Sequence, residues 1–189
     1  MKSLLYIFIC IISMNIISAQ ELPFVYYTTE NEINPLPSAA VDNIYQDDSG
    51  FIWMAVVSSG LIGYDGTEMT VYNMKDGLSS PNVMNMKQDL NGRLWILTDA
   101  GIAVSENPLN AYDGAKRIRF TKKLFNQELV QTSISQIGPN GITIDNEGNI
   151  WIGTTGLGVI RYTYISEKAL KIDTIKTIVP AEKENRTIF

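Results

Sequence analysis

The chain has 189 residues, 45% of them hydrophobic and 19% charged, a balance that suits a packed core and excludes a disordered chain. Its 15 basic residues face 20 acidic ones, and only short runs such as "KRIRF" from Lys116 and the pair at Lys122 break the formal charge of −5, so no nucleic-acid partner is expected. Histidine is absent and the one cysteine, Cys10, lies in the leading apolar run. Ser-His-Asp and Cys-His chemistry and most zinc sites are thereby removed, and the chain reads as no enzyme, with no catalytic residue, metal ligand or cofactor.

In chain order, the opening "MKSLLYIFICIISMNIISAQ" carries one lysine, an apolar run that starts at Leu4 and reaches Ile17, and the small pair Ser18 and Ala19. This is the pattern of a secretory signal peptide over residues 1–19, cleaved ahead of Gln20. The rival reading is a retained anchor, but Ser13, Asn15 and Ser18 dilute a run that would need about 20 mostly apolar residues. Ile9 stands before Cys10 where lipidation would want a small residue. An exported chain that loses its cysteine with the leader is held by packing and sheet hydrogen bonds alone. Residues 20–40 form a lead-in, in which "FVYYTT" at 24–29 reads as a strand lying before the first repeat unit.

A phrase then recurs: "QDDSGFIWMAV" from Gln46, "QDLNGRLWILT" from Gln88 and "IDNEGNIWIGT" from Ile144. Its pattern, Asp-x-x-Gly-x-(Ile/Leu)-Trp, sets Asp47, Gly50 and Trp53, then Asp89, Gly92 and Trp95, then Asp145, Gly148 and Trp151 at equal offsets. An Asp side chain accepts from backbone N–H groups two residues on, and Gly takes positive φ freely, so the Asp opens and the Gly closes a tight hairpin. The run after each turn, such as "FIWMAVV", reads as a strand buried on both faces. The segments before, "VDNIYQD" and "VMNMKQD", alternate more. Third strands follow in "GLIGYDG", "GIAVSEN" and "GLGVIRYTY", and fourth strands in "EMTVYN", "RIRFT" and "LKIDTIKTIV".

Four short strands per unit make a propeller blade or a solenoid coil. Trp53 and Trp95 lie about 42 positions apart, within the ~40–50 residues of propeller blades, and Trp151 follows about 56 positions later. The extra residues fall within "ENPLNAYDGAK" and "KKLFNQELVQTSISQIGP". The expected fold is all-β, a propeller of four-stranded antiparallel blades with about three blades present. Blade 1 spans 41–73, blade 2 74–121, blade 3 122–179, and 180–189 starts a truncated next blade.

The phrase together with Ile152, Gly153 and Thr154, a following Gly-Leu and a Tyr resembles the two-component regulator propeller repeat, most closely in "NEGNIWIGTTGLGVIRY". "GLSSPNV" and "EINPLPSAAV", ahead of the second and first copies, resemble that family's approach to a blade. Ala55 and Val56 depart from its Gly-Thr, and Ser105 stands where Tyr64 and Tyr162 stand in the other copies. The resemblance implies a seven-bladed ring, here incomplete, in the extracytoplasmic sensory portion of a bacterial hybrid two-component system. It also implies a periplasmic or cell-surface location and an oligosaccharide ligand; the strand at 24–29 would complete a last blade. Partners would be the remaining blades of a longer chain or a second copy. An exported scaffold or secretion-associated propeller without a kinase is the alternative.

Within that frame the acidic turns are hairpin chemistry before they are calcium sites, since calcium asks for about 6–8 oxygen ligands and no distal acid stands at a fixed offset. Only the first copy has the Asp-x-Gly spacing of a sialidase Asp-box, and the arginines form no cluster. The tryptophans, repeated at one strand position, belong to packing between blades. Ligand-binding residues stay unassigned, and the candidate rims are the non-repeating loops 30–39, 74–82 and 121–139.

Overall fold

The computed structural model describes residues 24–112, 117–129, 141–154 and 158–175. The leader with Cys10, residues 130–140 of the inserted loop and the segment 180–189 lie outside the described residues. Among the described residues every regular element is a strand or a short 3-10 turn.

Each copy of the phrase builds one antiparallel meander of four strands. The first sheet is β1 (Val41–Gln46), β2 (Ile52–Val56), β3 (Gly60–Tyr64) and β4 (Met69–Tyr72). The second is β5 (Val83–Gln88), β6 (Leu94–Thr98), β7 (Gly101–Ser105) and β8 (Phe120–Thr121). After a small hairpin of β9 (Lys123–Leu124) and β10 (Gln127–Glu128) comes the third sheet: β11 (Ile142–Ile144), β12 (Ile150–Thr154), β13 (Gly158–Ser166) and β14 (Ala169–Ile175). Each strand pairs with its chain neighbour, through tight turns in most places and across the longer 106–119 connection between β7 and β8, so the order in each sheet is the order of the sequence.

The apolar strands are explained by what covers them. β6 is buried at every residue and β2 at all but its first, whereas β1 alternates between half-buried and exposed. One core sets Trp53, Leu61 and Tyr72 of the first sheet against Met86, Leu94 and Ile96 of the second. Another sets Trp95, Leu97 and Ile102 of the second against Ile150, Ile160, Tyr162 and Leu170 of the third. The middle sheet is thus covered on both faces. With each buried Leu, Ile or Phe worth about 1.5–3 kcal/mol, stacking is the main source of stability. The three sheets form an arc of β-propeller type that does not close.

Two segments differ from their sequence reading. Residues 24–28 pair with no strand among the described residues, and Phe24, Val25 and Tyr26 are 77%, 72% and 73% exposed. The Asn31 side chain takes the local backbone groups instead: its amide donates to the Tyr26 carbonyl, and its oxygen accepts from the Thr28 N–H and hydroxyl. Farther along, Leu36 is buried against Met54, Val56 and Ile62 and covers the outer face of the first sheet.

The crossover at 74–82 is tied down at its start. Asn73 and Asp76 form a capping box around the 3-10 turn Met74–Asp76, and Asp76, 4% exposed, pairs with Arg117 at 2.5 Å and Arg119 at 3.6 Å. The Arg117 guanidinium also lies 4.8 Å from the Tyr72 ring centroid and donates to the Val71 carbonyl. Phe120 and Thr121 of "RIRFT" form β8, and the Arg119 carbonyl accepts from the Glu106 N–H at 2.9 Å just beyond it. Gly77 follows at φ 104°, where a Cβ would sit 1.8 Å from the Phe120 carbonyl oxygen.

Candidate functional site

The repeated phrase closes a small polar clasp in each sheet. Asp47 Oδ1 accepts from the N–H groups of Ser49 and Phe51 at 2.9 and 3.0 Å, which fixes the β1–β2 turn. Its Oδ2 accepts from the Trp53 indole N–H at 2.9 Å. Asp89 repeats this with Asn91, Arg93 and Trp95, and Asp145 with Glu147, Asn149 and Trp151. Gly50, Gly92 and Gly148 stand at φ 89°, 77° and 82°, as a turn closed by the Asp requires. The structure therefore unites all nine repeat residues. The Asp–Trp hydrogen bond was missed in the sequence, although its signal, a constant offset of six residues, was present.

The three clasps are not equivalent. Asp89 Oδ2 has a second donor, the Tyr164 hydroxyl of the third sheet, at 2.6 Å, and burial together with that carboxylate pushes the Tyr164 phenol well above its ordinary value. Asp145 Oδ2 has the Asn149 amide at 2.8 Å, and the Trp151 N–H, then Asn149, hold its carboxyl down at about 2. Asp47 Oδ2 has Trp53 alone among the described residues. Trp53 and Trp95 are 1% and 0% exposed between sheets. Trp151 is half-buried on the outer face of the third sheet, where Arg161 lies 5.3 Å from its ring and bonds Asp173 at 2.8 Å.

Beside the turns, a groove opens between successive sheets. The second groove, about 590 Å³ between the second and third sheets, is lined by Asn91, Arg93, Phe125, Asn126, Tyr164 and Lys168, with Pro108 and Glu167 at its margin. A side branch of about 360 Å³ shares Arg93, Phe125 and Asn126. The β9–β10 hairpin creates both. Leu124 and Leu129 anchor it in the core beside Trp95 and Tyr162, and its two-residue turn places Phe125 and Asn126 at φ 52° and 64°. Two consecutive left-handed residues match the sheet twist, but Asn suits that geometry and Phe does not. The Arg93 guanidinium stacks 5.0 Å from the Phe125 ring while its Nη1 donates to the Ser105 carbonyl at 3.2 Å and the Glu106 carbonyl at 2.5 Å. Phe125 also meets Tyr164 edge to face at 6.1 Å. Of the loops named as candidate rims, 121–139 thus reaches a groove through its described part, while 30–39 buries Leu36 on the first sheet and 74–82 buries Asp76 and Leu78.

The first groove, about 380 Å³ between the first and second sheets, is lined by Asp47, Phe51, Trp53, Tyr72 and Tyr112, with Asp65 and Glu68 among its outer residues. No group of three acidic, histidine or cysteine residues among the described ones is placed to hold a metal ion.

Stacked four-stranded meanders clasped by a repeated Asp and Trp define a β-propeller assembly. Residues 133–156, which contain the third clasp, match the family described as Two component regulator propeller. The fold is similar to the extracellular domain assigned to the hybrid two component system BT3049 of B. thetaiotaomicron, at 22% identity and TM-score 0.55 over 82% of this chain and 19% of that one. It is also similar to PorZ, a surface component of the type-IX secretion system of Porphyromonas gingivalis, at 15% identity and TM-score 0.51 over 80% of this chain and 24% of that one. A virginiamycin B lyase of Staphylococcus aureus aligns at 16% identity over 71% of this chain and 41% of that one, with a TM-score of 0.48. The chain spans a fifth to a quarter of the first two proteins' lengths, 19% and 24%, and these likenesses show the fold. No curated protein matches the sequence. No helix among the described residues is long and apolar enough to cross a membrane.

Proposed function

We propose that this chain is an exported, non-catalytic segment of a ligand-sensing propeller that serves a two-component signalling receptor, and that it takes an oligosaccharide in the second groove. The observation that carries the reading is the hairpin that breaks the repeat. A bulky Phe held at positive φ costs about 1–3 kcal/mol, strain that gathers at ligand clamps, and Phe125 is held there beside Tyr164 and Arg93. Aromatic faces flanked by Asn91, Asn126 and Lys168 supply stacking and polar donors and acceptors together, which suits sugar rings. The leader pattern and the named extracellular relative support export. The other blades of a longer chain, or a second copy, are the protein partners of this reading.

A panel of neutral and charged oligosaccharides titrated into the purified chain by calorimetry tests the site. A saccharide that binds the wild type and loses at least about tenfold in affinity to Phe125→Ala, the scale of one stacked base or ring, supports it. Undiminished binding to that variant removes the groove from the account, and a panel without any binder removes the saccharide. The likeness to PorZ favours the second reading, an exported secretion-associated scaffold. The coding sequence after Phe189 separates the two: a histidine kinase module fits the sensor, and a stop after further blades fits the scaffold.

A further inference from the structure

We infer that the first groove is a separate binding site for a small organic ammonium, with Asp47 as its anchor. The inference is independent of the saccharide reading. It begins with a comparison internal to the molecule: the same carboxylate oxygen receives two side-chain donors in the second and third clasps and one in the first. Asp47 is 6% exposed and lines the groove, so what remains of its acceptor capacity is directed at the groove and its contents. A buried carboxylate with an unfilled lone pair calls for a donor, and a cationic donor most of all.

The walls specify the rest of the ligand. Phe51 and Tyr112, both half-buried, are the rings that the groove exposes, with Trp53 packed behind Phe51 at 5.6 Å and Tyr72 behind Trp53 at 5.7 Å, and the Tyr112 hydroxyl is buried with no hydrogen-bond partner among the described residues. Aromatic faces beside carboxylates attract an ammonium through the ring quadrupole as well as through charge. Asp65 and Glu68 extend the negative potential outward, and none of the described lining residues is basic. Arg117, stacked on the Tyr72 ring, is held by Asp76, which also meets Arg119. The carboxylates are too dispersed for a bare metal ion, whereas an organic ammonium can bond Asp47 while its apolar body occupies the groove of about 380 Å³.

The tryptophans give the test its internal control. Each indole N–H bonds a different clasp, so in an NMR spectrum of the labelled full chain the Trp53 resonance reports on Asp47 while Trp95 and Trp151 report on their own carboxylates. The probes are 2-phenylethylammonium, 2-phenylethanol and phenylacetate, one frame in three charge states. A saturable shift of the Trp53 resonance with the ammonium alone, at millimolar concentration, is the expected result. Glu68→Gln should weaken it by about twofold to fivefold, as an exposed charge does, and Asp47→Asn by at least about tenfold. If Asp47→Asn does not fold, Glu68→Gln and the salt dependence of the wild type, whose affinity should fall as salt screens the groove, decide the matter. Equal shifts from the alcohol, parallel shifts of all three indoles, or no saturable shift each overturn the site.

Discussion

Replacing each tryptophan by phenylalanine separates the clasp from the packing. Phenylalanine keeps an aromatic ring in place, so what is lost is the indole N–H with part of the ring volume, and the cost depends on what remains for the carboxylate. In Trp53→Phe the 6%-exposed Asp47 loses its one side-chain donor, which combines the loss of a bond to a charged group with partial orphaning of a buried charge, about 2–4 kcal/mol. In Trp95→Phe the Tyr164 hydroxyl still holds Asp89 Oδ2, so the loss is nearer about 1.5–3 kcal/mol. In Trp151→Phe the half-buried Asp145 keeps Asn149 and can recruit water, and about 1 kcal/mol or less is expected. For a domain of this size about 1 kcal/mol is about 2–4 °C in midpoint, so thermal unfolding followed by far-ultraviolet circular dichroism resolves the series. The predicted order of destabilisation is Trp53, then Trp95, then Trp151. Equal losses, or the largest loss at Trp151, would refute the reasoning, because then ring packing and not the carboxylate's remaining partners sets the cost.

Two further outcomes follow from single contacts. Gly77→Ala puts a methyl 1.8 Å from the Phe120 carbonyl at φ 104°, so a loss of at least about 3 kcal/mol, or failure to fold, is expected in urea unfolding; a neutral result would show that the crossover does not pack on β8. The Asp145 carboxyl should titrate at about 2 by NMR. Because this folded value lies below the ordinary carboxylate value of ~3.9, the stabilisation it brings is complete above that ordinary value and is lost as pH falls through about 2. Asp145→Asn should therefore flatten the acid limb of the stability profile, and an unchanged limb would show the carboxylate is not held by Trp151 and Asn149.

Much of the architecture was legible because it rests on local chemistry repeated in register. An Asp and a Gly three residues apart make the hairpin, and "FIWMAVV" or "RLWILT" reads as buried because the covering sheets demand it. What escaped the sequence is long-range or breaks the pattern. Asp76 and Arg117 are distant in the chain with no periodic relation, so their ion pair, like the two-residue length of the fourth strand in the second sheet, has no local signal. The β9–β10 turn uses Phe-Asn where a hairpin of its type is signalled by Asn-Gly, so "KLFNQE" did not announce itself. Phe24 to Thr29 had a strand's composition, but composition supplies no neighbouring edge, and the Asn31 cap took the backbone groups. The grooves emerge only once sheets are stacked, from residues far apart in sequence such as Arg93 and Tyr164.

Stacking of the three sheets underlies every functional statement, because each groove exists only between two of them. Native-state hydrogen exchange of the full chain measures it directly. The middle sheet is covered on both faces, so the amides of β6 and β7 should be the slowest in the molecule, ahead of β2 and β12, and should exchange only on global unfolding. Equal protection in the three sheets, or faster exchange in β6 than in β2, would mean that the sheets do not stack as described, and that neither groove exists in solution.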